Sequence, residues 1–178
     1  MRIINRKGLF LGSSLSAYCR NRSESAKSKI RELTFDRIQG LHDYKIVDKF
    51  YEEYKTEAPI INIASNTCPH EPKEKNVVYH IPFIGKKELF TLHPSKLIYP
   101  EPYGLVTFNE IIVEYSLEDD SKIITDEFND NFNNIIRRLE IISNDCKTSN
   151  QSLHEMIEIN VKAKYKEFDE KDKIYRGL

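Results

Sequence analysis

The chain has 178 residues, 39% hydrophobic and 31% charged, with a formal net charge of −1 and three cysteines. These values exclude a disordered or fibrous chain, and Cys19, Cys68 and Cys146 are too few and too scattered for the disulfide framework of a small secreted domain. No run comes near the roughly 20 apolar residues of a membrane-spanning helix, so the expectation is a cytoplasmic protein with free thiols and one main compact domain.

The chain opens on a basic leader. Residues 1–31 hold eight Lys or Arg against one acid, Glu24, a surplus of seven, so the remaining 147 residues sum to −8. Such asymmetry marks nucleic-acid arms, anionic-surface anchors and targeting peptides. Met1 to Lys29 is Ser-rich and nearly acid-free, as transit peptides are. Yet Gly12, Ser13, Ser14 and Ser16 interrupt the apolar run a signal peptide needs, and Ala17-Tyr18-Cys19 is a poor cleavage site. We read residues 1–22 as a basic arm, with Arg2–Ile4 and Leu9–Leu11 either short strands broken by Gly8 and Gly12 or part of a loose stretch.

Residues 23–58 read as helical. Ser23 or Ser25 caps a first helix to about Leu33, with Ala26, Ile30 and Leu33 on one face. Thr34 caps a short turn carrying Phe35, Ile38 and Leu41, weakened by Gly40. A third pattern starts at Asp43 or Tyr44 and places Ile46, Val47, Phe50, Tyr51 and Tyr54 three and four apart, until Pro59 ends it. Residues 59–76 form a long irregular connection, of the kind that is either functional or mobile.

Residues 77–117 are the only long region with two-residue alternation, β-branched and aromatic enrichment, and frequent turn residues. Val77, Tyr79, Ile81 and Phe83 alternate with Val78, His80 and Pro82 as one strand, and Pro82 puts its end at an edge or bulge. Glu88–Leu92 reads as a second short strand, and Pro94, Pro100 and Pro102 keep Lys96–Tyr103 extended. Leu105–Phe108 and Ile111–Leu117 flank a tight turn at Asn109-Glu110. The sheet is small and antiparallel, and one face needs cover.

That cover is expected from residues 119–176, read as a helical hairpin. Ile124, Phe128, Phe132, Ile135, Leu139, Ile142 and Cys146 recur at helical spacing, with Asp119 and Asp120 in the first turn. Thr148-Ser149-Asn150 reads as a break and new cap, followed by the stripe Leu153, Ile157, Val161, Tyr165 and Phe168. Each arm spans roughly 40 Å at 1.5 Å per residue, more than a small sheet covers, so apolar surface is expected to be left for a partner. The polar residues from Lys171 to Leu178 have no clear ending, which fits the N-terminal domain of something longer.

Four constellations bear on chemistry. Cys68, His70, His80 and His93 are the only cluster of metal-ligand types, but C-x-H followed by two single histidines matches no zinc spacing, and ordinary loop and edge-strand residues account for them. Glu110, Glu114, Asp119, Asp120 and Lys122 lie along and after a strand, where metal-dependent nucleases keep acids and a lysine. Glu114 and Lys122 are too far apart for the usual pair, and a solvated strand face with an acidic helix start explains them. Tyr79, Phe83, Phe90, Tyr99, Tyr103, Phe108 and Tyr115 make the sheet region aromatic, as base-stacking sheets are, although such residues are more often core. Six glycines form no phosphate-cradling loop or dinucleotide fingerprint.

Arg37 and His42 make an R-x4-H spacing that resembles the signature of HEPN-type ribonucleases, in which the pair polarises a phosphodiester. The match covers six residues, Ile38 stands where those families place a polar side chain, and Gly40 interrupts the helix between the pair, so chance spacing explains it as well. The run Ile81-Pro82-Phe83-x-Gly85-x-x-x-Leu89-Phe90-x-x-x-Pro94-Ser95, followed by a hairpin and helices, is similar to the N-terminal part of larger bacterial proteins, some of the kind found in defence gene clusters. The resemblance covers roughly residues 44–175. It implies a sensing or assembly role, with any catalysis in a separate domain downstream.

The expectation is therefore an α+β fold: a basic arm over 1–22 and one domain over 23–178, in which a small antiparallel sheet packs against N-terminal helices and a C-terminal helical hairpin. We assign no catalytic residue, metal or cofactor. The expected function is a non-catalytic interaction or assembly module that meets a protein partner, or itself, through the helical hairpin, with no membrane contact. The alternatives are a nuclease, metal-dependent or HEPN-like, and a nucleic-acid binder using residues 2–31.

Overall fold

Strictly alternating side chains build the centre of the fold. The structure, a computed structural model, describes residues 3, 4, 7–38, 40–97, 99–118 and 120–176. Arg2, Arg6, Asp119, Gly177 and Leu178, which figured in the expectations above, lie outside the described residues. In chain order the elements are β1 (Ile3–Ile4), α1 (Leu15–Arg31), α2 (Phe35–Ile38), α3 (Asp43–Tyr54), β2 (His70–Pro72), β3 (Asn76–Pro82), β4 (Leu105–Val106), β5 (Glu110–Ser116) and α4 (Ser121–Arg176). Single 3₁₀ turns occupy Ser65–Thr67 and Lys87–Phe90. The fold class is α+β. The chain divides into two compact units, Met1–Leu15 with Glu57–Asp145 and Ser16–Thr56 with Cys146–Leu178.

The first unit is the sheet and its cover. The strands are antiparallel in the order β1-β5-β3-β2, and β4 pairs with β5 further along the strand from β1. In the β3–β5 register Val77 faces Tyr115, Tyr79 faces Val113 and Ile81 faces Ile111, so these six side chains share the inner face. The first half of α4 lies on that face, with Ile124, Phe128, Phe132, Ile135, Leu139 and Ile142 buried. The Tyr79 ring stacks on Phe128 at 3.9 Å between centroids. Each of these large apolar side chains contributes about 1.5–3 kcal/mol by leaving water.

Residues 7–15 are docked on the first unit. Leu9 N–H donates to the Pro102 carbonyl and Gly104 N–H to the Lys7 carbonyl, while Phe10, Gly12 and Leu15 N–H groups reach the carbonyls of Phe90, Thr91 and His93. Phe10 is fully buried and takes a positive φ of 60° to place its ring against Phe90. The burial of that ring is what offsets the strained backbone.

The second unit is helical. Ala26, Ile30, Ile38, Ile46, Val47 and Phe50 from α1–α3 form one core with Leu153, Ile157 and Val161 of α4, and Tyr165 and Phe168 pack against it. Arg22 Nε donates to the Tyr54 carbonyl at 2.8 Å and Nη2 to the Glu53 carbonyl at 2.6 Å, so a cation satisfies the C-terminal end of α3. Among the described residues no helix is long and apolar enough to cross a membrane.

Several elements differ from the reading of the sequence. The expected C-terminal hairpin is one continuous helix, because the apolar stripe passes through Thr148-Ser149-Asn150: Cys146 and Leu153 lie seven residues apart, two turns on the same face. Asn150 starts no new helix; its side chain accepts from Thr56 N–H and donates to the Thr56 carbonyl, both at 2.9 Å. Helix α1 begins at Leu15, not at Ser23, so the boundary at residue 22 falls inside it. Leu15, Cys19, Ala26 and Ile30 are all buried along one face. Glu88–Leu92 is a 3₁₀ turn closed by Thr91 donating through both N–H and Oγ1 to the Glu88 carbonyl, and Leu9–Leu11 is no strand. The connection 59–76 contains the short strand β2.

Candidate functional site

Residues directly opposite in an antiparallel ladder project to the same side. The outer face of the sheet therefore carries Asn76, Val78, His80 and Pro82 from β3 against Glu110, Ile112, Glu114 and Ser116 from β5. Its polar members pair with one another. Asn76 Nδ2 donates to Glu114 Oε1 at 2.9 Å, and His80 Nδ1 donates to Glu110 Oε2 at 3.1 Å.

Beyond Pro82 this face becomes apolar. Ile84 and Ile60 exchange two backbone hydrogen bonds of 2.9 Å, which sets their side chains on one side. The two segments approach closely because Gly85 has φ 126° and no Cβ, which would lie 3.0 Å from Pro59 Cα. Leu105 of β4 stands opposite Ile112 on the same face. The turn between β4 and β5 is Phe108-Asn109, one residue earlier than Asn109-Glu110. Thr107 closes it by donating to the Glu110 carbonyl through N–H and Oγ1. Phe83 N–H donates to the Asn109 carbonyl at 2.9 Å and so fixes the tip beside Phe83 and Ile84. Four large apolar side chains consequently stand in solvent on hydrogen-bonded backbone: Phe108 at 86% exposure, Ile84 at 68%, Ile60 at 55% and Leu105 at 45%. Ile60 and Ile84 are neighbours in this set, and the bond from Phe83 N–H to Asn109 brings the Phe108 turn beside Ile84.

The residues weighed for chemistry do not converge. Cys68 is buried, and burial pushes its thiol up to about 11. His70 packs its ring against Tyr79, His80 pairs with Glu110, and His93 Nδ1 donates to the Pro94 carbonyl at 2.8 Å. Among the described residues no three His, Cys, Asp or Glu are placed to hold a metal ion. Asp120 accepts from Lys122 N–H at 2.7 Å and acts as the cap of α4. Arg37 lines an open cleft of about 600 Å³ in the second unit, whereas His42 precedes α3 and stacks its ring on Tyr44 at 5.4 Å.

Of the seven aromatics, Phe83, Phe90, Tyr103 and Tyr115 are buried and Tyr79 lies against Phe128; only Tyr99 and Phe108 are largely exposed. None of the inner-face rings is open to a base. In the basic leader, Arg22 is spent on the end of α3 and Lys29 pairs with Glu32 at 2.8 Å.

One arrangement had no signature in the sequence. Tyr103 and Tyr115 hydroxyls lie 2.9 Å apart in the core, and Tyr103 donates to Glu127 Oε1 at 3.0 Å. Burial first, and then the bond to Tyr103, push the Tyr115 hydroxyl well above its ordinary range. Asn131 holds the Tyr103 backbone at both ends, accepting from its N–H at 3.0 Å and donating to its carbonyl at 2.9 Å. The network bridges α4 to the segment leading into β4. Compared with known protein families, curated proteins and solved structures, the chain matches none.

Proposed function

We propose that the protein is a non-catalytic assembly module that pairs with a second copy of itself through the outer face of its sheet. The observation that carries this reading is the exposure of Phe108, Ile84, Ile60 and Leu105 on backbone that hydrogen bonds hold in place. An apolar patch is its own complement, and a two-fold pairing sets the same patch against itself. The stripe of α4, from which surplus surface was expected, is buried from Ile124 to Val161, so the contact surface moves to the sheet.

The chain contains no tryptophan, so Phe108→Trp supplies a single fluorescent reporter at the tip of the patch. Its emission is expected to move to shorter wavelength as protein concentration rises through the micromolar range typical of such contacts, about 1–100 µM. Emission that stays at the solvent-exposed position throughout would remove the support for pairing at this face.

A further inference from the structure

The cleft that holds Arg37 combines two features that call for one kind of ligand. Arg37 of α2 and Lys45 and Lys49 of α3 line it, all three exposed. Among the described residues none of the three forms an ion pair, unlike Lys29 at the rim, which Glu32 neutralises. Lys45 and Lys49 stand four residues apart on one helix, where like charges repel. The rest of the lining is Leu33, Leu41, Ile46 and Phe50, with two carboxylates, Glu32 beside Lys29 and Glu53 four residues after Lys49 on α3. Ile46 and Phe50 are held in the core of the second unit, so this wall is rigid, while Leu41 is 41% exposed beside it.

We infer that this cleft binds a nucleoside diphosphate or triphosphate. The phosphates meet the three cations and the base lies over the apolar wall. With Lys29 paired to Glu32, the lining holds three cations against one further carboxylate, Glu53, and that positive surplus suits a polyphosphate. Arg37 supplies a planar, forked donor set and the two lysines supply point charges. The volume of about 600 Å³ is in the usual range for a small-molecule site. A nucleic-acid strand is the poorer match, since tight binding to a strand draws on many phosphate contacts along an extended track and this cleft offers three cations.

The test is calorimetry on the full chain with ADP, pyrophosphate and adenosine as separate probes. ADP is expected to bind at least about tenfold tighter than either part alone, and to weaken as salt rises from about 0.05 to 0.2 M. Arg37→Gln and Lys49→Gln are each expected to weaken ADP about fivefold or more, with unchanged far-ultraviolet circular dichroism because both side chains are exposed. Leu41→Asn is expected to weaken ADP and leave pyrophosphate alone. Lys166→Gln, at a 79% exposed lysine that is not part of the cleft lining, is the control and leaves ADP binding as it was. Absence of ADP binding, equal affinity for ADP and pyrophosphate, or insensitivity to Arg37→Gln would overturn the inference. So would displacement of ADP by a single-stranded oligonucleotide at a lower concentration than by ATP. Repeating the titration on Ile84→Asp separates this site from the sheet surface, because the ADP affinity is expected to be unchanged there.

Discussion

Asn131 satisfies both backbone groups of Tyr103 inside the core, so its loss orphans a buried N–H and a buried carbonyl together. Asn131→Leu is expected to cost about 2–4 kcal/mol, read as a lower urea midpoint at unchanged slope. Tyr115→Phe removes one hydroxyl while Tyr103 keeps Glu127, and is expected to cost only about 1 kcal/mol in the same measurement. Nothing in the run Asn129 to Asn134 announces this role. Asn131 and Asn134 read as the solvated side of an amphipathic helix, yet both are buried, as is Arg138, whose Nη1 donates to the Lys96 carbonyl at 3.3 Å. The partners of Asn131 and Arg138, Tyr103 and Lys96, lie in residues 94–104, whose path over the helix is a tertiary fact without local periodicity. Cys68 gives a pH signature. Its thiol ionises near 9 when unfolded and near 11 when folded, so between these values the unfolded state holds fewer protons and stability falls as pH rises. The stability advantage of the wild type over Cys68→Ala is therefore expected to shrink between about pH 9 and 11 and to stay constant below that window, measured by urea midpoints.

At the scale of elements, periodicity located the strands β3 and β5 and the helix α3 because their core-facing residues recur at two and at three to four. The same signal ran through two stretches where polar residues masked it. Cys146 and Leu153 keep the stripe of α4 in phase across Thr148-Ser149-Asn150, and Cys19 and Ala26 do so across Arg20–Ser25 in α1. Serine and asparagine favour helix starts, but a seven-residue step between buried positions outweighs that local preference. Thr148→Pro tests the point. In the interior of one helix it removes a hydrogen bond and clashes with the preceding turn, for an expected loss of about 3 kcal/mol or more in urea denaturation. A loop between two helices would accept it at little cost. The apolar end of the sheet was hidden for another reason: Ile60 and Ile84 are 24 residues apart, and only the backbone exchange between them makes one surface.

At the scale of the molecule, the α+β class followed from the order of patterns along the chain: helical, alternating, helical. The division into two units did not, because each unit takes its members from both ends of the chain, with α4 running through both. His70, His80, His93, Glu110, Glu114 and Asp120, which suggested chemistry in the sequence, each have a structural partner in the first unit. Among the described residues of the first unit, Phe108, Ile84, Ile60 and Leu105 are large apolar side chains left exposed. Light scattering measures the consequence most directly, as molar mass against concentration for the wild type and for Ile84→Asp, whose exposed position leaves folding intact. The account predicts a rise toward twice the 20.9 kDa chain mass for the wild type and a constant single-chain mass for the variant. A wild type that stays at one chain up to about 100 µM, or a variant that associates equally well, would contradict it.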